Sequence, residues 1–296
     1  MRIAPPPRAH GPRLVYGLVQ PLLGARLLVT DRELLVAALV PAGLLAGFCA
    51  VVALAEAHNV EGGLRTFYTT FALLAPLPSV ILAHHYARLA VLARRKLGFG
   101  PAEPCLESLR TMIKRAIKQT ILVAIALAPA IALVKALPLV GRPIVQVIGA
   151  AWALHWIVVD AFDSARFLRP GQTVADLDAH AEHIRQPWFV RGFNALADRL
   201  PIGKRILRRF ARFCDRMAMP WREEIALVED HPSLMLGFAL STAAFLAVPV
   251  VNLLFRPIVQ IGAAHVLGQL EALEPDSPIV PPPVPVPGHG GAATEA

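Results

Sequence analysis

The chain has 296 residues, of which 55% are hydrophobic and only 17% are charged, and its mean hydropathy is +0.54. Soluble domains carry about a quarter charged residues, so this composition argues against an ordinary soluble globular protein. The formal net charge of +8 would suit a nucleic-acid-binding protein, but the cations lie between hydrophobic segments, and we predict no nucleic-acid partner.

The N-terminal region joins a polar segment to a short apolar one. Residues 1–13 are rich in proline and arginine and have few core-forming side chains, which predicts a disordered tail. Residues 14–33 are mostly apolar but are interrupted by Pro21 and Gly24. We therefore expect a helix that lies at the membrane interface rather than crossing the bilayer.

Two segments without Asp, Glu, Lys or Arg follow, at residues 34–55 and 66–87. Each gives roughly 33 Å of helix against a hydrocarbon core of about 30 Å, which predicts two full transmembrane helices. Residues 88–118 then form a linker or helix in which basic residues far outnumber acidic ones. The positive-inside rule places this linker and the N-terminus in the cytoplasm.

Two helical hairpins are predicted at residues 119–160 and 233–270, because the apolar runs there are short and interrupted by proline. Both contain the sequence Arg-Pro-Ile-Val-Gln, beginning at Arg142 and at Arg256, inside longer similar segments. We interpret the hairpins as an internal repeat. Their second arms give roughly 25 and 21 Å of helix, so we expect partial insertion around a cavity.

The region between the hairpins, residues 161–232, is polar and predicts a cytoplasmic helical section, whereas residues 271–296 form a Pro/Gly-rich tail that we expect to be disordered. Within the helical section, one helical face carries Ile206, Phe210 and Phe213. The other faces carry arginines: Arg205, Arg208, Arg209 and Arg212. This pattern is typical of a helix lying on an anionic membrane surface, and the alternative is a solvated helix packed on its own domain.

Arg142 and Arg256 are the most informative polar residues. Each precedes a proline in the expected first turn of a helix, so the guanidinium would lie beside exposed backbone N–H groups, an arrangement that favours an anion. The alternative is that these arginines contact lipid headgroups or cap the preceding arm. Lys135 has the same two interpretations. The sequence contains no catalytic motif, and we predict no enzymatic activity, no metal site and no cofactor.

Several sequence features occur in the order of a known family. They are VAALVPAG around Pro41, LPLVG at 137–141, DAFDSARFLRPGQT, and the closing GFALSTAAFLAVPVVNLLFRPIVQIGAAHVL. Together they resemble the CysZ and etoposide-induced-protein membrane family over residues 14–270. The resemblance implies a bacterial inner-membrane protein with two long helices and two repeat-related, partly inserted helix pairs, associated with sulfate uptake.

One position departs from that family. Its Gly-Leu-Arg motif before the first long helix is tied to sulfate binding, and the corresponding stretch here is VTDRELLV. Only Arg32 remains, and the carboxylates of Asp31 and Glu33 beside it would oppose a dianion.

We therefore predict an all-α integral membrane protein with two full transmembrane helices, two repeat-related, partly inserted hairpins and a cytoplasmic helical section. The predicted function is a transporter or channel for a small inorganic anion, with sulfate as a candidate, lined by Arg142, Arg256, Arg32 and Lys135. The alternative is a non-transporting membrane protein whose basic cytoplasmic face, around Arg205–Arg212, recruits a partner or anionic lipid. Membrane lipids are expected partners in both cases, and the sequence is compatible with a homo-oligomer.

Overall fold

The computed structural model describes residues 5–56, 60–74, 82–99, 103–135, 141–168, 171–199, 203–247 and 254–273. Within these ranges the chain is mostly helical, as predicted. The helices are α1 (His10–Thr30), α2 (Arg32–Glu56), α3 (Val60–Leu74), α4 (Ala83–Lys96), α5 (Leu109–Ile125), α6 (Ala128–Lys135), α7 (Gly141–Ser164), α8 (Val174–His183), α9 (Trp188–Arg199), α10 (Lys204–Ala218), α11 (Arg222–Asp230), α12 (Pro232–Ala247) and α13 (Phe255–Glu271). A 3-10 turn (Met219–Trp221) joins α10 to α11, and β1 (Glu103–Pro104) pairs antiparallel with β2 (Phe167–Leu168).

Helix α1 begins at His10, inside the segment 1–13 for which a disordered tail is predicted. Residues 10–13 are ordered because their side chains contact the chain around the start of α12. His10 Nδ1 lies 2.9 Å from Ser233 Oγ, and Arg13 Nη2 donates to His231 Nδ1 at 2.9 Å. The helix ends at Thr30, before the position expected, because the Asp31 carboxylate accepts hydrogen bonds from backbone N–H groups at the start of α2.

Helix α1 packs along α12 and α13 through glycines. Its buried positions form one stripe, made of Gly17, Gln20, Pro21, Gly24 and Leu28. A Cβ on Gly17 would lie 1.9 Å from the carbonyl oxygen of Leu234, and a Cβ on Gly24 would lie 2.3 Å from that of Ile258. Both positions therefore exclude a side chain. The segment expected to lie at the membrane interface is covered on one side by α12 and α13.

Two of the described helices, α2 and α7, are long and apolar enough to cross a membrane, with mean hydropathies of 2.4 and 1.6. Helix α2 covers the predicted segment 34–55. The other predicted segment, 66–87, includes the end of α3 and the start of α4, and its middle, residues 75–81, lies outside the described residues.

Helix α7 corrects the prediction that the second arm of the first hairpin is short. The helix has 24 residues, or roughly 36 Å, because Arg142 and Asp160 continue it instead of ending it. In the second hairpin, α13 has 17 residues, or roughly 26 Å, close to the expected length. The predicted turns of the two hairpins, at residues 136–140 and 248–253, lie outside the described residues.

Two apolar clusters form the core. The first joins α1, α2, α4, α7, α12 and α13, and includes Leu28, Leu89, Phe162, Phe238 and Val259. The second joins α5, α7, α9, α10 and α11, and includes Leu122, Trp156, Phe189, Cys214 and Ile225. Helices α9 and α10 belong to the predicted cytoplasmic section, but they pack on α5 and α7 rather than forming a separate unit. Because α7 contributes to both clusters, it fixes the position of the polar residues near its C-terminal end.

Candidate functional site

Arg256 lies in the first turn of α13, followed by Pro257, which suits a first helical turn because its φ is fixed and it lacks an N–H group. Its Nη1 donates a hydrogen bond of 2.6 Å to Oδ2 of Asp160 on α7. The two side chains are only 11% and 10% exposed. A carboxylate is therefore held where a guanidinium and a helix N-terminus both favour negative charge.

A cavity of about 460 Å³ borders this ion pair, between α5, α7 and the facing ends of α12 and α13. Its walls are mostly apolar, and its polar side includes Gln119, Asp160 and Arg256. A smaller cavity of about 70 Å³ shares Gln119 and Asp160 with the first and extends to Arg115 and Arg166. Asp160 thus stands at the boundary between an apolar cavity and a strongly charged one.

Arg142 and Lys135 lie elsewhere. Arg142 is exposed at the N-terminal end of α7, and Lys135 is exposed at the end of α6. Asp160 follows Arg142 by about 18 residues on the same helix, which separates them by roughly 27 Å along the axis. The two repeat-related arginines are therefore at opposite ends of α7, and the structure does not bring them together in one site.

Arg32 is exposed at the start of α2. Its two acidic neighbours contact a different cation, because Lys96 Nζ lies 3.2 Å from Asp31 Oδ2 and 2.7 Å from Glu33 Oε2. The carboxylates that would oppose an anion at Arg32 are partly neutralised by this lysine. Arg32 lines neither of the two cavities described above, so it does not share a cavity with the Asp160–Arg256 pair.

A cluster of charged residues that the sequence did not predict surrounds the smaller cavity. Arg115 Nη2 donates to Asp163 Oδ1 at 2.5 Å, and Arg115 Nη1 donates to the Glu107 carboxylate. Arg166 Nη2 lies 2.8 Å from Glu224 Oε1 and also contacts the neighbouring carboxylate of α11. Arg115 and Asp163 are 48 residues apart, so no local spacing indicates the pair.

Glu224 is the most deeply buried carboxyl group of this cluster, at 4% exposure. Burial raises the pKa of Glu224 to about 7, and the nearby Arg166 guanidinium opposes this rise. Its Oε2 has no hydrogen-bond partner within the part of the chain that the structure describes. The Glu224 carboxyl group therefore keeps its proton to a higher pH than an exposed glutamate does.

Helix α10 differs from the sequence prediction at Phe210 and at Arg208. Phe210 was expected on the same apolar face as Ile206, but it packs inward on Phe193, with ring centroids 5.1 Å apart. Ile206 is 75% exposed, among the exposed Arg205, Arg209 and Arg212. The fourth predicted residue, Arg208, pairs with Asp198 at 2.7 Å.

The polar groups of this region can hold or guide a negatively charged group, through Arg256, Arg115 and Arg166, or hold a proton, through Glu224. In the described ranges, no three His, Cys, Asp or Glu side chains are grouped so as to bind a metal ion. Comparison of the chain with protein-family models, with curated proteins and with solved structures finds no match.

Proposed function

We propose that the protein is an integral membrane protein that lets a small inorganic anion cross the bilayer, with Arg256 as the principal anion contact. The observation that carries this proposal is the position of the Asp160 carboxylate. Its Oδ2 lies 2.6 Å from Nη1 of Arg256, beside the cavity of about 460 Å³. The protein's own carboxylate takes the place of an oxyanion there. Sulfate is the first candidate, because of the resemblance to the CysZ and etoposide-induced-protein family.

Asp160 acts in this proposal as an internal counter-ion. A charge-assisted hydrogen bond of this kind contributes about 1.5–3 kcal/mol, so an incoming anion of comparable strength can replace the carboxylate at the guanidinium. While no anion is bound, the ion pair keeps Arg256 from being a buried, uncompensated charge. In this proposal the route past α13 opens when the incoming anion replaces the Asp160 carboxylate at Arg256, and it closes when the carboxylate returns.

The membrane placement rests on the two apolar helices, α2 and α7. We propose a cytoplasmic N-terminus because of the distribution of basic residues, and a bacterial inner membrane because of the resemblance to the CysZ and etoposide-induced-protein family. Arg142 and Lys135 lie toward the opposite end of α7 from Arg256. We assign to them the role of raising the local anion concentration at the far mouth of the route, where exposed cations attract anions over several ångströms.

Flux into proteoliposomes containing the purified full chain tests the proposal, with labelled sulfate and, separately, chloride outside. We expect Arg256→Gln to lower anion uptake about tenfold or more, which corresponds to the loss of one charge-assisted contact. The matched control is Arg142→Gln, which removes the repeat-related arginine and should change uptake by about threefold or less.

Arg256→Gln also leaves Asp160 buried without its guanidinium partner, which destabilises proteins by about 3–5 kcal/mol. The double variant Asp160→Asn/Arg256→Gln restores a neutral pair and serves as the folding control. Full uptake by this double variant would refute the site. Absence of flux for every anion tested with the unmodified chain would refute transport itself.

A further inference from the structure

Helix α5 exposes an apolar stripe between cations. Ile113, Ile117 and Ile121 recur every four residues and are 46%, 55% and 38% exposed. Their spacing places them on one face of the helix. Basic residues with the same spacing lie beside them and are also exposed: Arg110, Lys114 and Lys118. The helix contains no acidic residue.

Helix α10 repeats this combination. Its inner side is formed by Leu207, Phe210, Ala211, Cys214 and Ala218, which pack into the second apolar cluster. The outer side exposes Ile206 and Phe213, at 75% and 36%. Four arginines are exposed around these two side chains: Arg205, Arg209, Arg212 and Arg216. The single acidic residue of α10, Asp215, is bound to Arg222 at 2.5 Å and does not neutralise the outer face.

The two helices contact each other, and both contribute to the second apolar cluster together with α7. For α5 the contact with α7 is direct, because Trp152 Nε1 of α7 donates to the carbonyl oxygen of Val123 on α5 at 2.9 Å. Helix α7 is one of the two described helices that are long and apolar enough to cross a membrane. The exposed faces of α5 and α10 are therefore held beside a candidate transmembrane helix.

We propose that the outer faces of α5 and α10 together form a platform that binds the anionic phospholipid surface of the cytoplasmic leaflet. The cations match the charge of phosphodiester headgroups, and the isoleucines and phenylalanine enter the boundary between headgroups and acyl chains. A nucleic acid would leave these five apolar side chains in water, since it is bound mainly through phosphate contacts and stacking. The platform depends on the membrane placement proposed above, but not on anion transport.

An environment-sensitive fluorophore on Ile206→Cys tests the platform in the full chain. The labelled protein is reconstituted in vesicles of phosphatidylcholine alone, or with phosphatidylglycerol at roughly three parts in ten. We expect a blue-shifted emission, quenched by spin-labelled lipid, only when the anionic lipid is present. A label on Ala179→Cys, on the exposed side of the acidic helix α8, is the matched control and should report water in both membranes.

Charge variants identify the groups responsible. In the labelled background, Arg205→Gln/Arg209→Gln/Arg212→Gln should lower the lipid-dependent quenching about threefold or more, whereas Arg208→Gln, whose side chain pairs with Asp198, should have little effect. Thermal unfolding in detergent verifies that each variant is folded. Equal quenching in both membranes, or quenching that survives the triple variant, would overturn the proposal. Because no flux is measured, a failure of transport does not affect the result.

Discussion

Glu224 gives the chain a specific dependence of stability on pH. The carboxyl is buried, one oxygen contacts Arg166 at 2.8 Å, and burial raises its pKa to about 7 from an ordinary value of 4.5. The folded chain therefore keeps this proton at a pH at which the unfolded chain has lost it. We expect the substitution Glu224→Gln, which keeps the shape but cannot ionise, to remove this dependence.

The sign and size of the pH effect on the free energy of unfolding follow from the difference in proton binding between the folded and the unfolded chain. Between pH 4.5 and 7, a rise in pH removes the proton from the unfolded chain only, so the free energy of unfolding decreases. The difference between the two pKa values corresponds to a loss of about 3 kcal/mol across this window. Stability from this group is fully present below the lower pKa and is lost as the pH rises toward the upper one.

Thermal unfolding in a mild detergent, between pH 5 and pH 8, measures the effect as the difference between Glu224→Gln and the unmodified chain. We expect the variant to gain stability relative to the unmodified chain as pH rises, by roughly 4 °C over the range, because about 2.5 kcal/mol is divided by an unfolding entropy of about 0.6 kcal/mol per degree for a chain of this size. Glu223→Gln is the matched control, because Glu223 contacts the same arginine at 3.0 Å but is 41% exposed. Parallel pH profiles for Glu224→Gln and the unmodified chain would refute the buried, protonated carboxyl.

Three further predictions concern other parts of the chain. Gly17→Ala should destabilise the protein by about 3 kcal/mol or more in thermal unfolding, because its Cβ would lie 1.9 Å from a backbone oxygen of α12, whereas Gly47→Ala has open space and should be neutral or stabilising. Thr173→Ala removes the capping box that Thr173 forms with Asp176, and should lower the free energy of unfolding by about 1 kcal/mol and increase amide exchange in α8. Burial raises the pKa of the Cys105 thiol to about 11, so alkylation at pH 8, followed by mass spectrometry, should be about tenfold or more slower than for an exposed cysteine and should accelerate toward pH 10.

The sequence predicts the helical class and the helix α2 because both depend on local properties. A run without charged residues and a helical length of roughly 33 Å can be recognised without knowledge of any partner. Helix α7 shows the limit of that approach. Its length was underestimated because Asp160 was taken as the end of an apolar segment. Arg256, the ion-pair partner that makes the burial of Asp160 possible, lies 96 residues further along the chain.

The candidate site was predicted only in part for the same reason. The sequence singled out Arg256 from its position before a proline, but it did not indicate the counter-ion, Asp160. The equivalent position of Arg142 in the repeat suggested that the two arginines share a site. The length of α7 rules this out. Arg115 was interpreted as part of a topology signal, although it bridges Glu107 and Asp163 across the fold. Long-range pairing of charges has no counterpart in sequence spacing.

The packing of α1 on α12 and α13 has a consequence for biosynthesis, because the chain segments that contact each other are synthesised far apart in time. Gln20 of α1 is hydrogen-bonded to His265 of α13, and the two residues are 245 positions apart in the chain. At synthesis rates of about 5–20 residues per second, roughly 12–50 s pass between the synthesis of Gln20 in α1 and that of His265 in α13. Until α12 is synthesised, the glycine-lined stripe of α1 lacks both of the helices on which it packs in the folded chain. A chain stalled before α12 should therefore keep α1 accessible to protease or to chaperones, and the completed chain should protect it.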